Sequence, residues 1–95
     1  MQSVYKYKLT MAGNFELRMP VGAKLLTVQV QCGHPCVWAM VDTTGKMATR
    51  KFALRGTGHQ CEPEVVGAAF VGTFQLNDGE FIGHLFDLGE SGRCL

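Results

Sequence analysis

The sequence predicts a single small all-β domain, an antiparallel β-sandwich or barrel of about seven strands. Apolar and polar residues alternate with a period of two through most of the chain, which is typical of half-buried strands. Short clusters of Gly, Asn, Asp and Pro separate these stretches and indicate turns. Convincing helical periodicity is lacking, and residues 62–67 are the best candidate for a short helix. A sandwich or barrel therefore accounts for the pattern better than a mixed fold.

The first two predicted strands flank a turn at residues 12–14. Tyr5, Tyr7 and Leu9 alternate with lysines, and residues 15–19 alternate in the same way with Glu16 and an arginine. We expect the two strands to pair as an N-terminal hairpin. Proline then ends the second strand at position 20, because it has no N–H to donate to a sheet.

Three strands are predicted in the middle of the chain. Apolar residues occupy the even positions from Lys24 to Cys32, so we expect Cys32 on an apolar face. After a turn at residues 33–35, the strand at 36–42 is apolar on both faces, which places it either centrally in a sandwich or in a subunit interface. In the strand at 48–54, Arg50 shares a face with apolar residues, which is unusual for a charged side chain.

The remaining strands form a predicted hairpin. Residues 70–76 and 81–87 flank the sequence Asn-Asp-Gly at 77–79, and these three residue types tolerate the positive φ of tight turns. We place a single all-β domain at residues 1–88 and treat residues 89–95 as a C-terminal tail, in which Cys94 and Leu95 could dock.

Size and composition exclude several classes of function. The 95 residues fit one domain, and 46% of them are apolar, which is generous for so short a chain and favours a homo-oligomer. A net charge of +1 does not provide the basic surface that duplex nucleic acid requires. Apolar runs are too short to cross a membrane, and the first residues lack a signal sequence. We therefore expect a cytoplasmic protein whose four cysteines are reduced.

The segment from Arg50 to His59 is the best candidate for a recognition site. Glycines at a turn can present consecutive N–H groups to an anion, and arginines can bind phosphate with two hydrogen bonds. The predicted ligand-binding residues of this segment are Arg50, Arg55, Gly56, Thr57, Gly58 and His59. The alternative is an ordinary β-turn in which Thr57 and His59 satisfy nearby backbone groups.

Trp38 completes the predicted ligand site. An exposed indole can stack on a nucleotide base. The alternative is that Trp38 belongs to the core, with its N–H bonded to an internal partner.

Other chemistry has weaker support. A zinc site could use cysteine and histidine, but the spacing differs from that of common zinc motifs; the candidates are Cys32, His34, Cys36, His59 and Cys61. A Cys–His nucleophile from His59 and Cys61 is disfavoured because near neighbours on a strand rarely have the necessary geometry. We interpret His84 as a buried, hydrogen-bonded histidine. No cofactor and no enzymatic activity are predicted.

Nearly the whole chain resembles a family of short bacteriophage proteins of unknown function. The resemblance rests on the order and spacing of several motifs: Met19-Pro20-x-Gly22-Ala23, Val28-Gln29-Val30-Gln31, Pro35-Cys36-Val37-Trp38-Ala39-x-Val41-Asp42, Arg50-x-Phe52, Gly56-Thr57-Gly58-His59, Gly72-Thr73-Phe74-Gln75-Leu76, Gly79 and His84-Leu85-Phe86. The tail from Gly89 lies outside this pattern.

The resemblance implies a phage counter-defence protein in the host cytoplasm. Such a protein of the anti-CBASS or anti-Thoeris type would sequester a nucleotide immune signal, here a cyclic dinucleotide or a related molecule, without cleaving it, in a pocket between identical subunits. Two alternatives stay open: a virion accessory or protein-binding inhibitor module, and an enzyme that acts on a phosphodiester.

Overall fold

A computed structural model describes residues 1–91 and confirms the predicted all-β class. Two antiparallel sheets contain seven strands, and we call them sheet A and sheet B. Sheet A has the order β1-β4-β3, and sheet B has the order β2-β5-β7-β6. The strands are β1 (Gln2–Lys8), β2 (Asn14–Pro20), β3 (Lys24–Gln31), β4 (His34–Asp42), β5 (Met47–Gly56), β6 (Ala69–Leu76) and β7 (Phe81–Ser91).

The predicted N-terminal hairpin is wrong. β1 pairs with β4 in sheet A, whereas β2 pairs with β5 in sheet B. The segment between β1 and β2 therefore carries the chain from one sheet to the other. The alternation in each strand indicates which face is buried, but it does not specify the partner strand. The partner is set by packing, since Phe15 of β2 stacks on Phe52 of β5 with ring centroids 5.4 Å apart.

The core lies between the two sheets. β4 is the central strand of sheet A, and its residues Val37, Ala39 and Val41 are at most 1% exposed. Opposite them, sheet B contributes Phe52 and Leu85, both 0% exposed. The apolar strand predicted at 36–42 is thus central in a sandwich, and only one of its two apolar faces is covered by the other sheet.

A β-bulge in β3 changes which of its residues face the core. The bulge lies between Leu25 and Thr27, so Leu25 and Val28 pack inward while Leu26 is 43% exposed. The predicted apolar face at even positions is therefore wrong at Leu26, within the bulge, and correct at Val28, after it. Cys32 does not lie on a strand face either: it is exposed in the β3–β4 turn, with φ at 50°.

Two glycines allow aromatic and aliphatic side chains to approach the backbone closely. A Cβ on Gly83 would lie 2.6 Å from Cζ of Phe74, and a Cβ on Gly72 would lie 2.8 Å from Cγ1 of Val28. Gly72 is on β6 and Val28 is on β3, so the two sheets meet at this side of the sandwich. Larger residues would force the sheets apart there.

The C-terminal half agrees with the prediction in its order of elements. A short helix, α1 (Pro63–Val66), lies where one was expected, and β6 pairs with β7 across a 3-10 turn at Asn77–Gly79. β7 continues to residue 91, so the first three residues of the predicted tail pair with β5. The strand continues because Arg50 and Thr49 of β5 provide partners for Glu90 and residue 91. Residues 92–95, with Cys94 and Leu95, lie outside the described residues.

Candidate functional site

The predicted site residues do not come together in one chain. Trp38 lies on the outer face of sheet A, because its neighbours in sequence, Val37 and Ala39, point into the core. Arg55 and the turn that follows it lie at the outer face of sheet B. The sandwich therefore separates Trp38 from Arg55, Gly56, Thr57, Gly58 and His59. We call the outer surface of sheet A around Trp38 the Trp38 face, and the outer surface of sheet B around residues 55–68 the loop face.

Arg50 is held between the sheets by internal partners. Its guanidinium donates to both carboxylate oxygens of Asp87, at 3.0 and 2.7 Å, and to the carbonyl of Ala23 at 2.8 Å. Glu90 lies 3.6 Å from the same group. The hydrogen bonds to Asp87 raise the pKa of Arg50 further above its usual value. These contacts explain why a charged residue shares a face with Phe52.

The depression beside Arg50 does not favour an anion. It has a volume of about 450 Å³ and is lined by Gly22, Ala23, Arg50 and Glu90. The Glu90 carboxylate accepts a hydrogen bond from the amide of Gly22 at 2.5 Å. Because Asp87 and Glu90 together outweigh the single charge of Arg50, a phosphate would meet repulsion there.

Arg55 also has internal partners. Its side chain is 11% exposed and donates to the carbonyls of Gly13 and Leu54, to Asn14 at 3.0 Å and to Glu62 at 2.5 Å. The hydrogen bond from Arg55 lowers the pKa of Glu62. Arg55 thus ties the β1–β2 connection and the segment after β5 to the surface of sheet B.

Residues 56–59 form a β-turn, which was the alternative to an anion-binding loop. The amide of His59 donates to the carbonyl of Gly56 at 3.0 Å, and the amide of Gly56 donates to Nδ1 of His59 at 3.1 Å. The amide of Thr57 donates to Ile82 at 3.2 Å, and Gly58 has the positive φ of 89° that the turn requires. Three of the four amides are therefore occupied, which leaves no row of free N–H groups.

His84 bridges two threonines on the loop face. Its Nε2 lies 2.8 Å from Oγ1 of Thr57, and its Nδ1 lies 2.9 Å from Oγ1 of Thr73. A hydroxyl can donate or accept, so this arrangement suits either tautomer. The histidine is hydrogen-bonded as predicted, but it is half-buried on an outer face instead of in the core.

The segment from residue 57 to residue 68 covers part of sheet B. Ala53 is 0% exposed although it points away from the core, and Val65 of α1 is also 0% exposed. Neither belongs to the main core cluster, and α1 contacts β7. A small second cluster therefore lies beneath this segment, and Arg55 and Glu62 hold its edge.

Cysteine and histidine do not assemble into a metal site in the described part of the chain. Across residues 1–91, no group of three or more His, Cys, Asp or Glu side chains is arranged to hold a metal ion. Cys32 and Cys61 are exposed free thiols, and Cys36 is a buried one. In the same range, no helix is long and apolar enough to cross a membrane.

The Trp38 face is open and partly apolar. A groove of about 300 Å³ is lined by Val4, Leu26, Thr27, Gln29 and Trp38. Val4 is 49% exposed, and the bulge in β3 brings Leu26 to the rim of the groove. Trp38 is half-buried on this outer surface and is not part of the core cluster between the sheets, which was the alternative to a ligand contact. An aromatic surface of this kind is available for stacking.

A basic pocket continues the groove toward the β3–β4 turn. It has a volume of about 200 Å³ and is lined by Lys6, Lys8, Gln31, Cys32, His34 and Cys36. Lys6 is paired in register with Trp38, and its Nζ donates to Oε1 of Gln31 at 2.6 Å. A flat ligand on Trp38 would therefore have ammonium groups beside it.

The sequence reasoning missed the lysines of this face. β1, β3 and β4 contain Lys6, Lys8 and Lys24 but no acid except Asp42, at the end of β4. The overall charge of +1 hides this local excess. Summing charge over each predicted strand would have revealed it, but grouping those strands into one sheet required the structure.

The fold and this face define a small β-sandwich with an open aromatic and basic surface. The chain matches the model of a family described as a domain of unknown function, DUF7352, over residues 1–93, and it belongs to that family. No curated protein and no solved structure matches the chain.

Proposed function

We propose that this protein binds a small phosphate-bearing nucleotide on the Trp38 face and sequesters it without cleaving it. The observation that carries the proposal is the half-buried Trp38 with Lys6 in the same register row and with no acid in β1 or β3. A base stacked on an indole gains about 1–3 kcal/mol, and lysines attract the phosphate. This retains the ligand class expected from the sequence and moves its main contacts away from the arginines.

The proposed setting is a bacteriophage-infected cell, as the family resemblance implies. There a binder in the host cytoplasm would lower the free concentration of a cyclic dinucleotide or related immune signal. The contacts of Arg50 and Arg55 with carboxylates and carbonyls favour a supporting role for both arginines.

Fluorescence titration tests the proposal directly, because Trp38 is the single tryptophan of the chain. The panel is cyclic di-AMP, cyclic di-GMP, a cyclic trinucleotide and ADP-ribose. We expect saturable quenching by at least one of them, and recovery of the intact ligand after heat denaturation. A folded sample that binds none of the panel would overturn the proposal, and recovery of a cleaved product would indicate an enzyme.

Matched lysine variants locate the binding surface. Lys8→Gln removes an exposed lysine of the basic pocket, whereas Lys51→Gln removes an exposed strand lysine of sheet B. We expect the first variant to weaken binding by about tenfold, the size of one charge-assisted hydrogen bond, and the second to leave it unchanged. The opposite pattern would place the site on sheet B near Lys51, which pairs with Glu16 of β2.

A protein-binding module is the second candidate. It is favoured by Val4 and Leu26, which are 49% and 43% exposed beside Trp38. Partly exposed apolar side chains next to an aromatic residue are common at protein interfaces. Capture of one defined host protein by the wild type but not by Trp38→Ala, with no nucleotide binding, would support this candidate.

A further inference from the structure

The Trp38 face has lysines on both sides of the indole along the strand direction. In the register of sheet A, Met40 pairs with Lys24 on β3, Trp38 pairs with Lys6 on β1, and Cys36 pairs with Lys8 on β1. Residues paired directly across neighbouring strands share a face. Since Met40, Trp38 and Cys36 alternate with core residues, all three lysines lie on the outer surface.

The ammonium groups of these lysines have N–H donors that are available to a ligand. Within residues 1–91, the side chains of Lys8 and Lys24 make no hydrogen bond or ion pair, and both residues are exposed. Lys6 donates to Gln31 at 2.6 Å, which uses one of its three N–H groups. The face therefore presents positive charge that no carboxylate of residues 1–91 neutralises.

The spacing of the outer lysines fits a ligand longer than a mononucleotide. Lys24 pairs with Met40 and Lys8 pairs with Cys36. Met40 and Cys36 are four residues apart on β4, and each defines a row of paired residues across the sheet. At about 3.4 Å per residue, the rows lie about 14 Å apart, with Trp38 between them. A base stacked on Trp38 would thus have an ammonium group within reach on either side.

We call the surface that carries Lys24, Lys6 and Lys8 the positive strip. An acidic residue lies beyond its Lys24 end. The next residue along β4 on the outer face is Asp42, and its carboxylate lies 3.4 Å from the Met1 amino group. The amide of Thr44 donates to this carboxylate, which lowers the pKa of Asp42 and keeps it ionised. A long polyanion running past Lys24 would meet the carboxylate of Asp42 there.

We propose that the ligand carries phosphate on both sides of the stacked base, as a dinucleotide does, with one phosphate near Lys24 and the other near Lys6 and Lys8. This inference rests on the proposed function and narrows it: a nucleotide with a single phosphate engages only part of the strip, and a long single strand exceeds it. The ligand is therefore a free dinucleotide-sized molecule.

Calorimetry with matched adenosine ligands tests this inference. Adenosine 5′-monophosphate and adenosine 3′,5′-bisphosphate share one base and differ in a second phosphate. We expect the bisphosphate to bind about tenfold more tightly at low salt, the size of one added charge-assisted contact, and cyclic di-AMP to bind at least as tightly. Lys24→Gln or Lys8→Gln should remove the advantage of the second phosphate, and Lys51→Gln should preserve it.

The outcomes separate the two proposals. Equal affinity for the monophosphate and the bisphosphate, with quenching of Trp38 by both, would overturn the two-sided contact and leave nucleotide binding in place. Equal weakening of both ligands by each lysine variant would have the same meaning. Tighter binding of a ten-nucleotide single strand than of any dinucleotide would overturn the limit on length. Absence of binding by every ligand would overturn the proposed function itself.

Discussion

The two outer faces of this sandwich use their polar side chains in opposite ways. On the loop face, Arg55 has four acceptors and His84 has a hydroxyl at each ring nitrogen. On the Trp38 face, the side chains of Lys8 and Lys24 have no hydrogen-bond or ion-pair partner among the described residues. One face is therefore occupied with holding the fold together, and the other has groups available for a partner.

This difference shows that a segment rich in functional groups can use them for contacts within the fold. Residues 50–59 contain two arginines, a threonine and a histidine, yet their hydrogen bonds close the ends of strands and fix connecting segments. Buried polar groups need internal partners, so a charged residue on an apolar strand face is often structural. Unused lysine N–H groups beside the half-buried Trp38 leave groups available for a ligand.

The largest expected effect comes from Arg50→Met. It leaves the carboxylate of Asp87, which is 12% exposed, without its bidentate partner. Removing one member of a buried pair costs about 3 kcal/mol or more. We expect the free energy of unfolding to fall by that amount in urea denaturation followed by Trp38 fluorescence.

Arg18→Met is the matched control, because Arg18 is exposed on β2. It should change the free energy of unfolding by no more than about 0.5 kcal/mol. The nucleotide affinity of folded Arg50→Met should equal that of the wild type. If Arg50→Met lost nucleotide affinity while its free energy of unfolding stayed unchanged, Arg50 would be a ligand contact. The assignment of binding to the Trp38 face would then be wrong.

The second effect concerns Arg55→Met, which frees both segments that Arg55 holds. Hydrogen bonds to charged groups contribute about 1.5–3 kcal/mol, so we expect a loss of about 2 kcal/mol. The change should be local at first, with faster amide exchange in residues 57–68 than in β4. Uniform acceleration across both sheets would contradict the anchoring role, and Lys51→Gln provides the control for charge.

Much of the fold could be predicted from the sequence, and the exceptions have physical causes. Period-two alternation located most of the strands, the continuous apolar run at 36–42 located β4, and the Asn-Asp-Gly turn identified the β6–β7 hairpin. The pairing of β1 with β4 could not be found in this way, because alternation is the same whichever strand lies alongside. The bulge at Leu26 could not be predicted either. One inserted residue exchanges the inward and outward faces of β3 without altering its composition.

The candidate site was less predictable than the fold. The sequence predicts Trp38 as a stacking residue, but it groups Trp38 with Arg55 and the turn at 56–59, which lie across the sandwich. Lys6, Lys8 and Lys24 are ordinary surface lysines until β1, β3 and β4 are known to form one sheet. Proximity of this kind depends on strand order, which one sequence does not contain.

The third effect separates the faces by binding instead of by stability. Trp38→Leu keeps an apolar side chain on β4 and removes the aromatic surface. Loss of one stacked base should weaken nucleotide binding by about tenfold or more, since stacking contributes about 1–3 kcal/mol. Calorimetry is the measurement, because the variant has no tryptophan. His59→Leu on the loop face is the comparison and should bind as the wild type does.

The smallest expected effect is a change in the pKa of one carboxyl group. A titration measures it together with the pKa of a carboxyl group on the other face. The pKa of Glu62 is lowered by its hydrogen bond from Arg55, and that of Asp42 by the amide and hydroxyl of Thr44. A lowered folded-state pKa means that the stabilising contact is present above the unfolded pKa and is lost as the pH falls through the folded value. In Arg55→Met, the pKa of Glu62 should rise toward the ordinary value of about 4.3, while that of Asp42 stays low. Carbon-detected NMR of the two carboxyl groups measures both in one sample. A rise of both values would mean that Arg55 supports the whole sandwich, whereas a rise of Glu62 alone would confine its role to the loop face.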